Sequence, residues 1–339
     1  MTINTAINTA ITTPTQHALV QTRLEGPEHL ELTLDHPVPQ PGPGEYLIRV
    51  GAAGVNFADV MQAHGRYEGG PAAPHVAGIE AAGEIVALGP DIESPLPVGT
   101  HVVGFGVGAY AQYMVLAAVA ALPVPDGWSD AESLGLVTNW ATALAALKPL
   151  GEIKQGETVL IHAAAGGVGQ AAIHLARHYG ARIIATASPA KHHLVKGLGA
   201  DEVLDSAHPD LAQQLLDLGP VDLVLESVGQ ATFTASLGAT RPFTGRVVVY
   251  GAASGHATIS TRDLVFTHRV RIQGLHIGAL AATATDLFIG LLTELNTLIA
   301  DGVYPPGTPE IHPLADGPKV LQALEDRQTT GKLALDPWA

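Results

Sequence analysis

The chain contains no cysteine, which excludes disulfides, thiolate nucleophiles and every cysteine-based metal site together. Positive charge is scarce as well: 17 lysines and arginines face 32 aspartates and glutamates, a formal charge of −15. A phosphate-binding face needs clustered cations, so neither nucleic acid nor an anionic membrane surface is an expected partner. Long apolar runs are also missing. MVLAAVAAL at 114–122 falls well short of the roughly 20 residues that span a bilayer, and is expected to be a strand end or a buried segment. The opening MTINTAINTAITTPTQ lacks the basic and long apolar regions of a secretory signal, so residues 1–16 read as a loose tail and the location as cytoplasmic.

What is present is globular. A hydrophobic fraction of 47% over 339 residues is enough for more than one core, and two domains are expected. From 17 to about 125 short β-like runs are broken by Pro and Gly, as in LELTLDHPVPQPGPGEYLIRVGAAGV, a rhythm that suits a strongly bent, barrel-like β domain. SDAESLGLVTNWATALAAL (129–147) has helical spacing, with Ser129 as N-cap and Glu132 three residues on, and reads as a helix pair leading to a new domain. From 158 strands alternate with helices: TVLIHA, ARIIATA, DEVLD, VDLVLES, GRVVVYG and RIQGLHIG (271–278). Six such strands predict a doubly wound parallel sheet. Helices are expected near 284–301 and 315–326, and the closing GKLAL as a strand returning to the first domain.

TVLIHAAAGGVGQAAIHLARHYG (158–180) runs from a strand through a small-residue turn into a helix. On the G-x-G-x-x-G template Ala164 stands at the first glycine, Gly166 at the second and Gly169 at the third. The second lets backbone approach a pyrophosphate and the third lets helix pack on strand, while alanine serves at the first if its φ is negative. The N–H groups of Gly167, Val168 and Gly169 then open a helix whose dipole favours an anion. No Asp or Glu occurs from 158 to 200, where an NAD site places the carboxylate that holds the ribose, and Ser188 and Lys191 follow the second strand. That favours NADPH over NADH.

With these residues in place the chain resembles the medium-chain dehydrogenase/reductase superfamily, in its zinc-free quinone oxidoreductase (zeta-crystallin-like) branch. The resemblance rests on GVNFADVMQAHGRYEGG, PHVAGIEAAGEIVALG, HAAAGGVGQ, LESVG, GRVVVYGAASG and TTGKLAL, and covers nearly everything after the tail. It implies an α/β chain: a GroES-like catalytic domain over 17–140 and 280–339, and a Rossmann NADP(H)-binding domain over 141–279 with a six-stranded parallel sheet. Where the zinc-dependent relatives carry a zinc-binding cysteine this sequence has Asn56, and in place of their Gly-His-Glu it has Gly78-Ile79-Glu80, so no metal is expected. His174 and His178, spaced i, i+4, read as solvated side chains.

The resemblance also assigns residues. Asn56, Thr142, Val228, Tyr250, Gly251 and Ala252 would border the nicotinamide. Ala165, Gly166, Gly167, Val168 and Gly169 would take the phosphates, and Lys191 with Arg327 the 2′-phosphate. Arg327 equally fits a solvated helix-end residue paired with an acid, and Asp205-Ser206, where an Asn-Tyr pair often stands, weakens the case for strict NADPH use. Tyr67 would border the substrate as proton donor or as a packed loop aromatic, with Met61 where many relatives have a second aromatic. The implied activity is hydride transfer to a small-molecule quinone. The alternatives are an enone or enoyl-thioester reductase, or a non-catalytic NADPH-binding crystallin-like or RNA-binding protein. A homodimer is implied, pairing RIQGLHIG across a two-fold axis.

Overall fold

The computed structural model describes residues 14–339. The expected tail therefore lies outside the described residues, except that Thr15 and Gln16 already belong to the first strand. Along the chain come β1 (Thr15–Gln21), β2 (Leu30–Pro37), β3 (Glu45–Val55), α1 (Phe57–Ala63), β4 (His75–Val76), β5 (Glu80–Leu88), β6 (His101–Phe105), β7 (Tyr113–Ala117) and β8 (Leu122–Pro123). Strands β2-β1-β4 form one small sheet, and β3 is the spine of a larger one, antiparallel to both β5 and β7. The residues Val50–Val55 of β3 are nearly all buried, because the sheet curls over them and the small residues of Gly-Ala-Ala-Gly let β5 and the C-terminal strand close in.

The 129–147 segment is three pieces rather than a simple helix pair. The capping box closes α2 (Asp130–Ser133), with the Ser129 amide donating to Glu132 Oε2 at 2.7 Å. A single π turn over Leu136–Trp140 then runs into the fully buried α3 (Ala141–Leu147). Such a π turn re-aims side chains, and here it presents Thr138 and Asn139 to the first domain.

The second half contains β9 (Thr158–Ile161), α4 (Gly167–His178), β10 (Arg182–Ala187), α5 (His192–Leu198), β11 (Glu202–Asp205), α6 (Leu211–Asp217), β12 (Leu223–Glu226), α7 (Phe233–Ala239), β13 (Arg246–Val249), α8 (Thr261–Phe266) and β14 (Arg271–Gly274). All six strands are parallel in the order β11-β10-β9-β12-β13-β14. The order reverses between β9 and β12, so the crevice opens over the carboxyl ends of those strands. The predicted strand 271–278 stops at Gly274, because the His276 side chain accepts the Ala279 amide at 2.8 Å and starts α9 (Ile277–Thr283). The amphipathic α10 (Thr285–Ala300) buries Phe288, Leu291, Leu295 and Leu298 in the same core as α3 and α4. No single helix among the described residues is long and apolar enough to cross a membrane.

After β15 (Glu310–Pro313) and α11 (Gly317–Glu325), GKLAL supplies β16 (Leu333–Asp336), which pairs antiparallel with β3 at Ala53–Val55. The C-terminus is thereby locked into the first sheet.

In the β9–α4 turn the left-handed residue is Ala163 (φ 50°), so Ala164 meets the condition that lets alanine replace a first glycine. A Cβ on Gly169 would lie 2.6 Å from both the Ala163 oxygen and the Ala164 Cα, backbone that cannot step aside. Gly169→Ala is therefore expected to destabilise the fold by about 1–3 kcal/mol, read as a lower urea midpoint, because the α4–β9 contact must open.

Candidate active site between the two sheets

Asn56 N-caps α1 at the end of β3, and its side chain points into a buried polar cluster. Its Nδ2 donates to Glu80 Oε2 at 3.0 Å, and its Oδ1 accepts from Lys332 Nζ at 2.8 Å and from Asn139 Nδ2 at 3.2 Å. Glu80 is fully buried and also accepts the Gly135 amide at 2.8 Å, the Thr138 hydroxyl and the Lys332 ammonium. Burial alone would raise this carboxyl, but the Lys332 charge and the hydrogen bonds from Lys332, Thr138 and Asn56 outweigh it and hold Glu80 below the usual carboxylate range. Lys332, to which no role was assigned from sequence, thus brings a cation to the Asn56–Glu80 pair. The only clue was its place in GKLAL, and nothing local indicates where β16 will pair. No group of three His, Asp or Glu side chains suited to a metal converges anywhere among the described residues.

One turn along α1, Asp59 Oδ2 accepts the Asn56 amide at 2.7 Å and the Tyr110 hydroxyl at 2.9 Å, while its Oδ1 is buried with no partner. Burial dominates here and pushes the Asp59 carboxyl up to about 7, against the opposing bonds from Asn56 and Tyr110.

A cleft of about 670 Å³ is lined by Tyr67, Met61 and Arg66 from the first domain and by Ala252, Ser254 and His256 beyond β13. The Tyr67 hydroxyl lies 2.7 Å from His276 Nε2, across the cleft from the end of β14. Burial, and then the Asp59 charge, keep the Tyr67 phenol above its ordinary range. Gly251 leaves β13 so close to Ser227 that a Cβ would sit 2.7 Å from the Ser227 oxygen, and Tyr250 beside it is half-buried. Val228 is fixed by its amide, 2.8 Å from Glu226 Oε1. Glu226 is itself buried among Thr232, Ser236 and the Gly229 amide, next to a His162 whose pKa burial lowers. Thr142 is buried within α3 and makes no side-chain hydrogen bond among the described residues.

At the other end of the crevice Ala165, Gly166 and Gly169 form the turn into α4, and Gly331 pairs with it, donating its amide to the Ala165 oxygen at 3.1 Å. Ser188 follows β10 and caps the short turn Pro189–Lys191. Lys191 Nζ donates to the Arg327 oxygen at 2.8 Å and the Thr329 oxygen at 2.7 Å, and its pKa is lowered by burial and then by the Arg327 charge. Arg327 is exposed just past the end of α11, where the solvated reading placed it, and it forms no ion pair among the described residues. Asp205 turns onto its own loop, accepting the Ala207 amide at 3.0 Å. His174 is not solvated as expected: it is half-buried and stacks on Trp140 with ring centroids 5.8 Å apart, because α4 packs against the turn before α3.

Two family models match this chain: "Alcohol dehydrogenase GroES-like domain" over 42–126 and "Zinc-binding dehydrogenase" over 167–294. A mycobacterial protein solved in complex with NADPH is 33% identical, with a TM-score of 0.89 over 95% of this chain and 100% of its own. The quinone oxidoreductase of Pseudomonas syringae pv. Tomato is 32% identical, with a TM-score of 0.88 over 95% and 100% of the two chains. The chain belongs to the medium-chain dehydrogenase/reductase superfamily. Within it, it falls in the zinc-free quinone oxidoreductase branch, and it is accordingly an oxidoreductase with a GroES-like and a Rossmann half. Prostaglandin reductase-3 of Bos taurus is 39% identical over 71% of this chain and 64% of that protein. The first curated relatives, mycobacterial synthases such as the mycocerosic acid synthase-like polyketide synthase of Mycobacterium tuberculosis (35% identical over 87% of this chain), are far longer, and the chain spans only 14% of their length.

A carboxyl raised to about 7 beside the cluster gives this chain a specific pH signature. Between the ordinary carboxyl value and about 7 the folded state holds a proton on Asp59 that the unfolded chain has released, so stability falls as pH rises through that window. Asp59→Asn keeps an oxygen for the Asn56 amide and the Tyr110 hydroxyl. It is expected to flatten that fall, so that its urea midpoint rises relative to the parent between about pH 5 and about pH 7.

Proposed function

We propose that this oxidoreductase transfers hydride from NADPH to a small quinone without the help of a metal. The observation that carries this reading is the lysine at Asn56 and Glu80: a fixed ammonium hydrogen-bonded to both is not a Lewis acid open to substrate, so an alcohol gains no activation there. The acceptor must then be electron-poor already, and the protein's part is to align it and to meet developing oxyanion charge. NADPH, when bound, supplies the hydride.

The crevice fits that cofactor. The turn Ala165–Gly169 offers backbone N–H groups at the start of a 12-residue helix. Lys191 and Arg327, held together by a Lys191–carbonyl bond, with no acid anywhere in the 158–200 stretch, suit a 2′-phosphate. Asn56, Thr142, Val228, Tyr250 and Ala252 would flank the nicotinamide, and Tyr67 the acceptor.

A second reading, reduction of an enone or enoyl thioester, is favoured by Tyr67, whose hydroxyl sits in the cleft in a hydrogen bond and suits protonation of an enolate. The likeness to prostaglandin reductase-3 points the same way. A homodimer through β14 is also part of the proposal, since that strand is a mostly exposed sheet edge next to exposed Phe243, Val265 and Phe266.

Steady-state rates with a small quinone, a short alkenal and an enoyl-CoA decide between the two readings: the quinone is expected to have the highest kcat/KM, and an enone faster by tenfold or more would reverse the order. Lys191→Ala is expected to raise KM for NADPH roughly tenfold while leaving KM for NADH unchanged. Equal effects on both would remove the 2′-phosphate assignment. Tyr67→Phe is expected to keep the NADPH dissociation constant and to lower kcat on the order of a hundredfold with an enone.

A further inference from the structure

His276 stands at the end of β14, on the nucleotide side of the cleft, and was not among the residues that sequence or resemblance assigned. Its ring makes two hydrogen bonds at once. Nδ1 accepts the Ala279 amide at 2.8 Å and so caps α9, and Nε2 lies 2.7 Å from the Tyr67 hydroxyl. The ring lies over the first turn of that helix at Gly278, where a Cβ would come within 3.1 Å of His276 Cε1.

These bonds fix the proton. An amide N–H can only donate, so Nδ1 must present a lone pair, and a neutral imidazole then carries its single hydrogen on Nε2. Nε2–H can only donate to the phenol oxygen. The Tyr67 O–H hydrogen is thereby excluded from the His276 direction and left for another acceptor, in a cleft shared with Ala252 and Ser254.

We infer that His276 is a positioning residue for proton delivery: its helix-capping bond locks the Nε2–H tautomer, which donates to the Tyr67 oxygen and turns the Tyr67 O–H toward the carbonyl oxygen of the bound acceptor. The inference rests on the proposed reading of Tyr67 as proton donor. In the step itself, hydride from the reductant bonds to the acceptor carbon and an electron pair moves onto the carbonyl oxygen. The Tyr67 O–H bond then breaks, and its proton joins that oxygen. The phenolate left behind is the charge that the His276 Nε2–H bond stabilises, and that bond is stronger to an anion than to the neutral phenol. The proton is later recovered from solvent.

The test uses two readouts. Long-range ¹⁵N–¹H NMR on the intact protein is expected to show His276 protonated at Nε2 and bare at Nδ1, and the opposite tautomer overturns the inference whatever any variant does. His276→Asn keeps a side chain that caps a helix well but removes the donor to Tyr67. It is expected to lower kcat about tenfold with the faster of a small quinone and a short alkenal, with KM and the NADPH dissociation constant within about twofold. In a Tyr67→Phe background the same change is expected to cost nothing further. A His276→Asn variant that raises KM at unchanged kcat marks a mere latch across the cleft and overturns the inference. Loss of turnover in Tyr67→Phe without loss in His276→Asn also overturns it while sparing the role of Tyr67, whereas no loss in either removes both.

Discussion

Glu80 is a carboxylate with no exposed surface, and the first domain is organised around satisfying it. Taking such a charge out of water costs several kcal/mol unless a cation and hydrogen bonds replace the solvent. The four donors come from three places far apart in sequence: Asn56 at the cap of α1, Gly135 and Thr138 around the π turn, and Lys332 just before β16. Each of them is correctly placed only when β3 pairs with β5 and β16, and when the segment before α3 has docked. The ion pair need not add net stability, but leaving either partner alone would be costly, so the cluster selects one arrangement of the two domains. Asn56, at its centre, is thus held rigidly where the crevice begins.

The nucleotide half repeats the device with different chemistry. Glu226, at the end of β12, is satisfied by hydroxyls and amides rather than by an ammonium, and the neighbouring His162 is kept from charging by burial. Each carboxylate fixes a strand end in its own half: Glu80 the start of β5, Glu226 the end of β12. Tyr67, His276 and the loop after β13 are all partly or largely exposed. Rigid walls with hydrogen-bonded side chains are what an enzyme needs if alignment is its main contribution.

The nucleotide half was readable from sequence because its signals are local. Each strand is a short β-branched run ended by turn residues, and the Ala164 substitution is tolerable once the left-handed position falls on Ala163. The crowding that demands Gly169 follows from the template spacing alone. The long-range partners were not readable. Lys332 lies 252 residues from Glu80, and nothing around it distinguishes it from a solvated lysine beside a glycine. His276 was hidden inside what looked like strand, since QGLHIG alternates well enough, and only the capping bond to Ala279 ends the strand at Gly274. His174 was misjudged for the same reason, because its partner Trp140 belongs to another segment.

The account holds that a lysine, not a metal, supplies the positive charge at the Asn56–Glu80 pair, and that turnover depends on NADPH and on side chains alone. The most direct measurement is NADPH oxidation with a small quinone by protein dialysed exhaustively against a strong chelator. Turnover equal to that of the untreated protein, and unmoved by added zinc, is the predicted result. Activity lost on dialysis and restored by zinc would contradict it.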